Sequence, residues 1–233
     1  VPNSDGTPAA AASDWQQGYG FQFWMSRHGF RGDGAYGQFC VVLPEHDVVI
    51  AMTAATEQLQ DLLNLMWQHL LPAFGPEPLP DHDKADTALR ERLDALALPP
   101  LASAPGLRAD RDTWSGTAFT PAGGECAEQR TLTTVRLTAD PAAPGWTLGL
   151  DERGSSLALA FDDAGWTVTD APVPTAVTAA WTDPATFTAD VAFLETPHRL
   201  HLTCSLTSRT FTAHWRTRPL TRGSLRAYRA PQS

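Results

Sequence analysis

At 233 residues, with an apolar fraction of 42% and a formal net charge of −9 from 26 acidic and 17 basic residues, the chain has material for one large or two small domains with a buried core. Its basic residues do not cluster, which excludes a sequence-independent nucleic-acid surface. No apolar run reaches the ~20 residues a helix needs to cross a bilayer, and the opening VPNSDGTPAAAASDW lacks the charged-then-apolar order of a signal peptide. No membrane partner is expected, and the composition is that of a soluble protein.

Residues 1–14, rich in Pro, Ala, Ser and Gly, are expected to form a loop or a disordered end. From 15 to 24 aromatic residues alternate with small or polar ones, the period of a strand with one packed face, and Arg27-His28-Gly29 follows as a turn. A second strand is expected from Phe30 through Gly32-Asp33-Gly34-Ala35 and on into Phe39-Cys40-Val41-Val42-Leu43. Pro44-Glu45-His46-Asp47 then reverses the chain into a third strand over 48–53. Turns this short impose an antiparallel meander.

The period changes over 57–71, where Leu59, Leu62, Leu63, Met66 and Leu70 recur at helical spacing; Thr56 is placed to cap this helix and Pro72 to stop it. Prolines at 76, 78 and 80 make a stiff linker. A short amphipathic helix over 81–96 carries Leu89, Leu93 and Leu96 on one side and acids in its first turn. From 107 onward come at least eight short alternating runs, among them TLTTVRLTA, SLALAFDD and RLHLTCSLT, separated by turn signals. The expected fold is α+β: a partial antiparallel sheet with a C-terminal helix over 15–74, a Pro-rich linker with a short helix over 75–106, and an all-β antiparallel meander barrel over 107–233.

The stretch GYGFQFWMSRHGFRGDGAYGQ, continued by FCVVLPEHDVVIAMTAA and a helix ending in HLLPAF, resembles the C-terminal end of the serine β-lactamase and penicillin-binding-protein superfamily, most closely its esterase-like, class C related branch. The resemblance covers about 15–74. That family carries a third active-site motif, Lys-Thr-Gly or His-x-Gly, on a strand beside the nucleophile; the matching positions here are Gly32, Asp33, Gly34 and Ala35. The resemblance implies that this strand lines one wall of an acyl-transfer site, with the Ala35 N–H as an oxyanion donor. Gly32 departs from the pattern, since it stands where Lys or His would supply a cation.

A second departure concerns the nucleophile. Lys84 is the only lysine and the residue three before it is Asp81, so the chain holds no Ser-x-x-Lys. By this resemblance the partner is the missing N-terminal part of the hydrolase domain, no cofactor is needed, and the chain alone is catalytically silent. The strand over 48–53 would lack its N-terminal neighbour, leaving an edge for that missing part, for a homodimer, or for the chain's own barrel to cover. The barrel, with its start at Trp114-Ser115-Gly116-Thr117, is similar to the lipocalin-like appendages of some members. The compartment stays open between a bacterial cytoplasm and secretion.

Other constellations have plainer readings beside the chemical one. Arg27 and Arg31 could clasp a substrate carboxylate, although a solvated edge is the expectation. His28 has the chemistry of a general base but sits in a turn without a nearby carboxylate. Asp81, His82, Asp83 and Asp86 have metal-ligand types, yet acids at a helix start already complement its dipole. His198 and His201 point to opposite faces of a strand and His214 lies on another, so no metal is expected. Gly154-Ser155-Ser156-Leu157-Ala158 falls in a hairpin, not a nucleophile elbow. Cys40, Cys126 and Cys204 lack any C-x-x-C pair and are expected as small core residues. Trp146, Trp166, Trp181 and Trp215 fill a core or line a ligand cavity. The alternative to a hydrolase fragment is thus an accessory or small-ligand-binding barrel module.

Overall fold

Two units divide the chain in the computed structural model, Val1–Ala97 and Leu98–Ser233; the residues described are 1–77, 82–107, 109–142, 145–162 and 164–230. Among them no helix is long and apolar enough to cross a membrane.

The first unit opens with a short helix, α1 (Pro8–Ala12), where the expectation was a loop or disordered end. Thr7 caps it by accepting from the Ala10 N–H, and Pro8 occupies its first turn, where a missing N–H costs nothing. Ala10 and Asp14 are buried, so the segment belongs to the fold.

The strand expected over 15–24 folds back on itself as a hairpin, β1 (Tyr19–Gly20) against β2 (Phe23–Met25). Its turn residues Phe21 and Gln22 have φ of 53° and 68°, the left-handed geometry of a tight hairpin turn, with neither glycine nor asparagine to announce it.

The second expected strand is likewise two, β3 (Phe30–Gly34) and β4 (Gln38–Leu43), reversed at Ala35, Tyr36 and Gly37. A Cβ on Gly37, at φ +87°, would lie 2.6 Å from Leu62 Cδ1, which is why glycine ends the turn. After a single 3-10 turn at Pro44–His46 the chain returns as β5 (Val48–Met52). The sheet runs in sequence order, every neighbour antiparallel, and among the described residues β5 has β4 as its one ladder partner.

A helical segment follows: α2 (Leu59–Leu65), a π-helical turn (Met66–Leu70) and a 3-10 turn (Leu71–Ala73). Thr56 does not cap α2 but accepts from the Gln58 N–H, and the N-cap position, Gln58, makes no side-chain cap bond. Phe39, Val41 and Leu43 bury against Leu63, Met66 and Trp67, with Val48, Ile50 and Met52 packed alongside. The alternation of β-strands puts Gly32, Cys40 and Ala51 in cross-strand register on the opposite face. That face is open: Cys40 is exposed rather than a core residue, and Phe23, Met25 and Val49 are exposed too. Helix α3 (Asp83–Asp94) carries Asp83 and Asp86 in its first turn, and Leu89, Leu93 and Leu96 on its apolar side are exposed. Asp81 lies outside the described residues, and no group able to hold a metal occurs among them.

The second unit begins with α4 (Arg111–Trp114), capped by the Asp110 carboxylate accepting from the Asp112 N–H. Nine strands follow: β6 (Ala118–Pro121), β7 (Leu132–Ala139), β8 (Trp146–Glu152), β9 (Ser155–Phe161), β10 (Thr167–Thr169), β11 (Thr175–Asp183), β12 (Thr186–Phe193), β13 (Arg199–Ser205) and β14 (Thr210–Thr217). They form one nearly closed sheet in the order β10-β11-β12-β13-β14-β6-β7-β8-β9.

One seam corrects the all-antiparallel expectation. With an odd number of strands alternating in direction, the first and last run the same way, so closing the sheet forces β14 to pair with β6 in parallel, Thr210 opposite Thr120. The gap in the sheet falls between β9 and β10, which form no ladder. The interior is solid: Phe119, Phe161, Phe187, Trp114, Trp146 and Trp181 are buried within one aromatic cluster. Trp215 is buried beside Phe193 and Tyr228, whereas Trp166 is only half-buried, under the Arg199 guanidinium 5.3 Å away.

Candidate functional site

Strand β3 alternates charged residues with glycines, and the alternation decides what each side of the ribbon does. Arg31 lies opposite Val41, and Asp33 opposite Phe39, so both side chains point toward the helix-covered face. Arg31 is fully buried there. Its Nε donates to Asp33 Oδ2 at 3.0 Å, and its Nη1 donates to the Asp14 carbonyl at 2.8 Å and to Ser26 Oγ at 2.7 Å. The guanidinium also stands 4.4 Å over the Trp15 ring. This arginine is an internal strut, neither a solvated edge nor a substrate clamp: its Nε and Nη1 are spent on fixed partners, and its buried Nη2 has no hydrogen-bond partner among the described residues.

Arg27 has a similar fate. It donates to the Asp14 carboxylate from Nε at 3.0 Å and Nη2 at 2.8 Å, while Gln60 and the Trp67 indole donate to the same oxygen. Burial by itself would raise the Asp14 carboxyl, but these bonds outweigh it and hold it below the usual carboxylate range. For Asp33 burial dominates and pushes the carboxyl up, with Arg31 offsetting it in part. Asp14 is the hub that sequence reasoning missed: a lone acid in an Ala/Ser-rich stretch carries no periodic signal, and only its neighbour Trp15 hints at a core.

The other side of the ribbon is different in kind. Gly32 and Gly34 share the open face with Cys40. The β2 ladder reaches β3 only at Phe30 and Arg31, so positions 32–34 are laddered on one side, by β4. Ala35 is exposed at the start of the reversal. A Cβ on Gly32 would meet Cys40 Cβ at 3.7 Å, an ordinary contact, and one on Gly34 would meet Gln38 Cβ at a tight 3.1 Å. Internal packing therefore does not demand glycine at 32.

The four residues of the family-like motif are thus contiguous and divided by face, with Asp33 behind and Gly32, Gly34 and Ala35 reachable from in front. The side chains there offer no nucleophile paired with a base. His28 is exposed, its ring 5.1 Å from that of Trp67. A cleft of about 360 Å³ in this unit is lined by Ser26, Arg27, His28, Leu43, Glu45 and His46 among others; it lies at the opposite end of β3 from the glycines.

In the barrel, Asp190 is fully buried and gathers Arg199, His201 Nδ1 at 2.7 Å and Arg216 Nε at 3.1 Å. Burial would raise this carboxyl, but the bonds from His201, Arg199 and Arg216 bring it down to about 2. His201 sits directly across from His214 in the β13–β14 ladder. Ser155 belongs to β9 after the tight turn at Gly154, φ +90°, and donates to Glu152, so the Gly154-Ser155-Ser156 run is a hairpin.

No family model, curated protein or solved structure matches the chain.

Proposed function

We propose that residues 15–74 form the C-terminal portion of the acyl-transfer domain of a β-lactamase-like serine hydrolase, and that residues 107–233 are a lipocalin-like barrel appended to it. The observation that carries this reading is the two-sidedness of the ribbon at 32–35. From behind, the Arg31–Asp33 pair and the Asp14 hub hold it; in front, the glycines leave backbone accessible, and residues 32–34 are laddered along one edge only. A backbone held still and open to one side is what a preorganised oxyanion donor requires, and one such donor lowers an acyl-transfer barrier by a few kcal/mol.

In this reading the Ala35 N–H meets the developing oxyanion, and Gly32 and Gly34 leave room for the acyl group. The serine, with its lysine and tyrosine, comes from polypeptide outside this chain, lying on the open face and the β5 edge. Serine Oγ adds to the ester or amide carbonyl as its proton passes to the base. The leaving group departs with a proton, and water releases the acyl-enzyme. With glycine at 32 the site lacks the cation of the penicillin-recognising members, so substrate polarisation falls to another group.

A fluorophosphonate probe tests the reading. It should label a longer polypeptide that carries an upstream Ser-x-x-Lys and leave the present chain unlabelled. Labelling of this chain by itself, or failure to label the longer one, would overturn the assignment.

A further inference from the structure

The outer face of strands β11–β14 is uniform except in one place. Ala189, Val191, Leu202 and Trp215 belong to the barrel core, so the alternation of a strand turns their neighbours outward. Those neighbours are mostly Ala, Thr and Ser. The exception is a cross-strand row in which Asp190 stands opposite His201 and His201 opposite His214, flanked by Arg199 and Arg216. Arg216 joins it through an irregularity: Leu200 is opposite Trp215 but Arg199 is opposite Thr217, which makes Arg216 the extra residue of a bulge. Bulges re-aim a side chain, and they gather beside functional sites.

Charge does not balance in this row. Asp190, fully buried, pairs with both Arg199 and Arg216, and neither arginine pairs with another acid among the described residues. One carboxylate beneath two guanidiniums leaves an excess of positive charge, in a chain whose net charge is −9. Such a patch is a local arrangement and does not follow from composition. Arg199 is held in place from its other side by the Trp166 ring, 5.3 Å away.

Donors are in excess as well. The Asp190 carboxylate only accepts, so His201 Nδ1, 2.7 Å from its Oδ1, carries a proton and donates it there. That nitrogen is then no acceptor for Arg216 Nη2, which lies 3.4 Å from it and keeps its N–H groups for another partner. Arg199 Nε is buried without an acceptor among the described residues. Arg216 and His214 are exposed and His201 is half-buried, so the open donors are reached from solvent. They come from side chains on two strands and do not lie in one plane, which suits the three oxygens of a phosphate group better than a flat carboxylate.

We infer that this patch is a binding site for a phosphate group, free or as a small monoester, held by Arg216, His201 and His214 with Arg199 adding to the positive field. Asp190 is the positioning residue beneath them: it orients two guanidiniums and an imidazole without facing the ligand. The inference is independent of acyl transfer, because every residue it uses lies in the second unit.

The test titrates the intact chain with inorganic phosphate and with phenyl phosphate, followed by phosphorus NMR line broadening. Ionic strength is held constant with chloride, so that screening does not imitate binding. Binding should be saturable at one site. Arg216→Gln should weaken it by about tenfold, the scale of one charge-assisted hydrogen bond, and His214→Gln by about threefold, the scale of a neutral one. His214 is exposed and makes no bond to Asp190, so its variant reads the site even if Arg216→Gln disturbs the fold. Arg153→Gln, at the exposed β8–β9 turn, should leave affinity unchanged. The two probes separate the sources of the group: tighter binding of phosphate identifies the free ion, and tighter binding of the ester identifies a phosphorylated small molecule. Absence of saturable binding would overturn the inference, as would affinities that ignore both the Arg216 and the His214 variants or fall equally in Arg153→Gln.

Discussion

The two sheets of this protein bury their apolar faces by opposite means. The nine-stranded sheet curls until β14 meets β6, so that one face becomes an aromatic interior and most of its edge groups find ladder partners. The five-stranded sheet stays flat enough to have two faces, and α2 with the turns after it covers one of them. On its other face Phe23, Met25 and Val49 remain exposed, and β5 ends the ladder. Closure makes a sheet self-sufficient, whereas a single covering helix leaves a surface on which further polypeptide can pack. That contrast is why the acyl-transfer reading is attached to the first unit.

The sheet with one covered face depends on a single polar hub, and breaking it should give the largest effect. Asp14→Ala removes a fully buried carboxylate, takes the acceptor from the Trp67 indole, and leaves Arg27 and Gln60 with Asn64 Oδ1 in place of the buried charge they share. Losing one side of such a buried charged network costs about 3 to 5 kcal/mol. Amide exchange in β2–β5 should accelerate sharply, while that in β11–β14 should keep its parental rate. Equal acceleration in both sheets would mean that the hub does not belong to the first alone.

The barrel's own buried acid gives a smaller and pH-dependent effect. Asp190 is held at about 2, below the ~3.9 of an unfolded aspartate. A depressed carboxyl stabilises the fold fully above the unfolded value and loses that contribution as pH falls through the folded one. Barrel stability should therefore be independent of this group above about pH 4 and drop by about 2 kcal/mol between pH 4 and pH 2. Asp190→Asn should remove that slope, as measured by urea unfolding across the acid range. A slope that survives the substitution would assign the acid sensitivity to other carboxylates.

Much of the architecture was legible from periodicity: the run of strands after 107, the helical segment carrying Leu59, Leu62 and Leu63, and the turn at 44–47 all follow from spacing. Legibility failed where local geometry goes against residue type. The reversal at Phe21-Gln22 uses left-handed backbone at residues other than glycine, so the alternation over 15–24 concealed a hairpin, and the reversal at Tyr36-Gly37 was concealed within a glycine-rich run read as strand. The parallel seam was hidden because it depends on the parity of the strand count, which no local pattern records. Buried charge was equally hidden: Arg31 and Asp14 have the composition of surface and are core in place. Cys40 erred the other way, and a thiol reagent such as 5,5′-dithiobis(2-nitrobenzoate) should titrate one rapid thiol in the native chain. Cys126 and Cys204 are buried and their thiols pushed up by that burial, so they should react only on unfolding. Two or more rapid thiols would show that the barrel wall opens more readily than its packing implies.

The smallest expected effect on stability is the most informative about function. Gly32 has ordinary backbone dihedrals and its substitution by alanine meets only Cys40 Cβ, at 3.7 Å, so Gly32→Ala should change the unfolding free energy by less than about 1 kcal/mol. Gly29 provides the control on the same strand pair: at φ +65° a Cβ there would lie 2.0 Å from the Val42 carbonyl oxygen, and Gly29→Ala should destabilise the sheet plainly. A glycine that packing does not require points to something outside the fold that comes close to its backbone. In a polypeptide that completes the acyl-transfer site, Gly32→Ala should lower the rate of probe acylation while the melting temperature stays put. If acylation is unchanged as well, the open side of β3 approaches no substrate, and the glycine ribbon ceases to distinguish a catalytic wall from a sheet face.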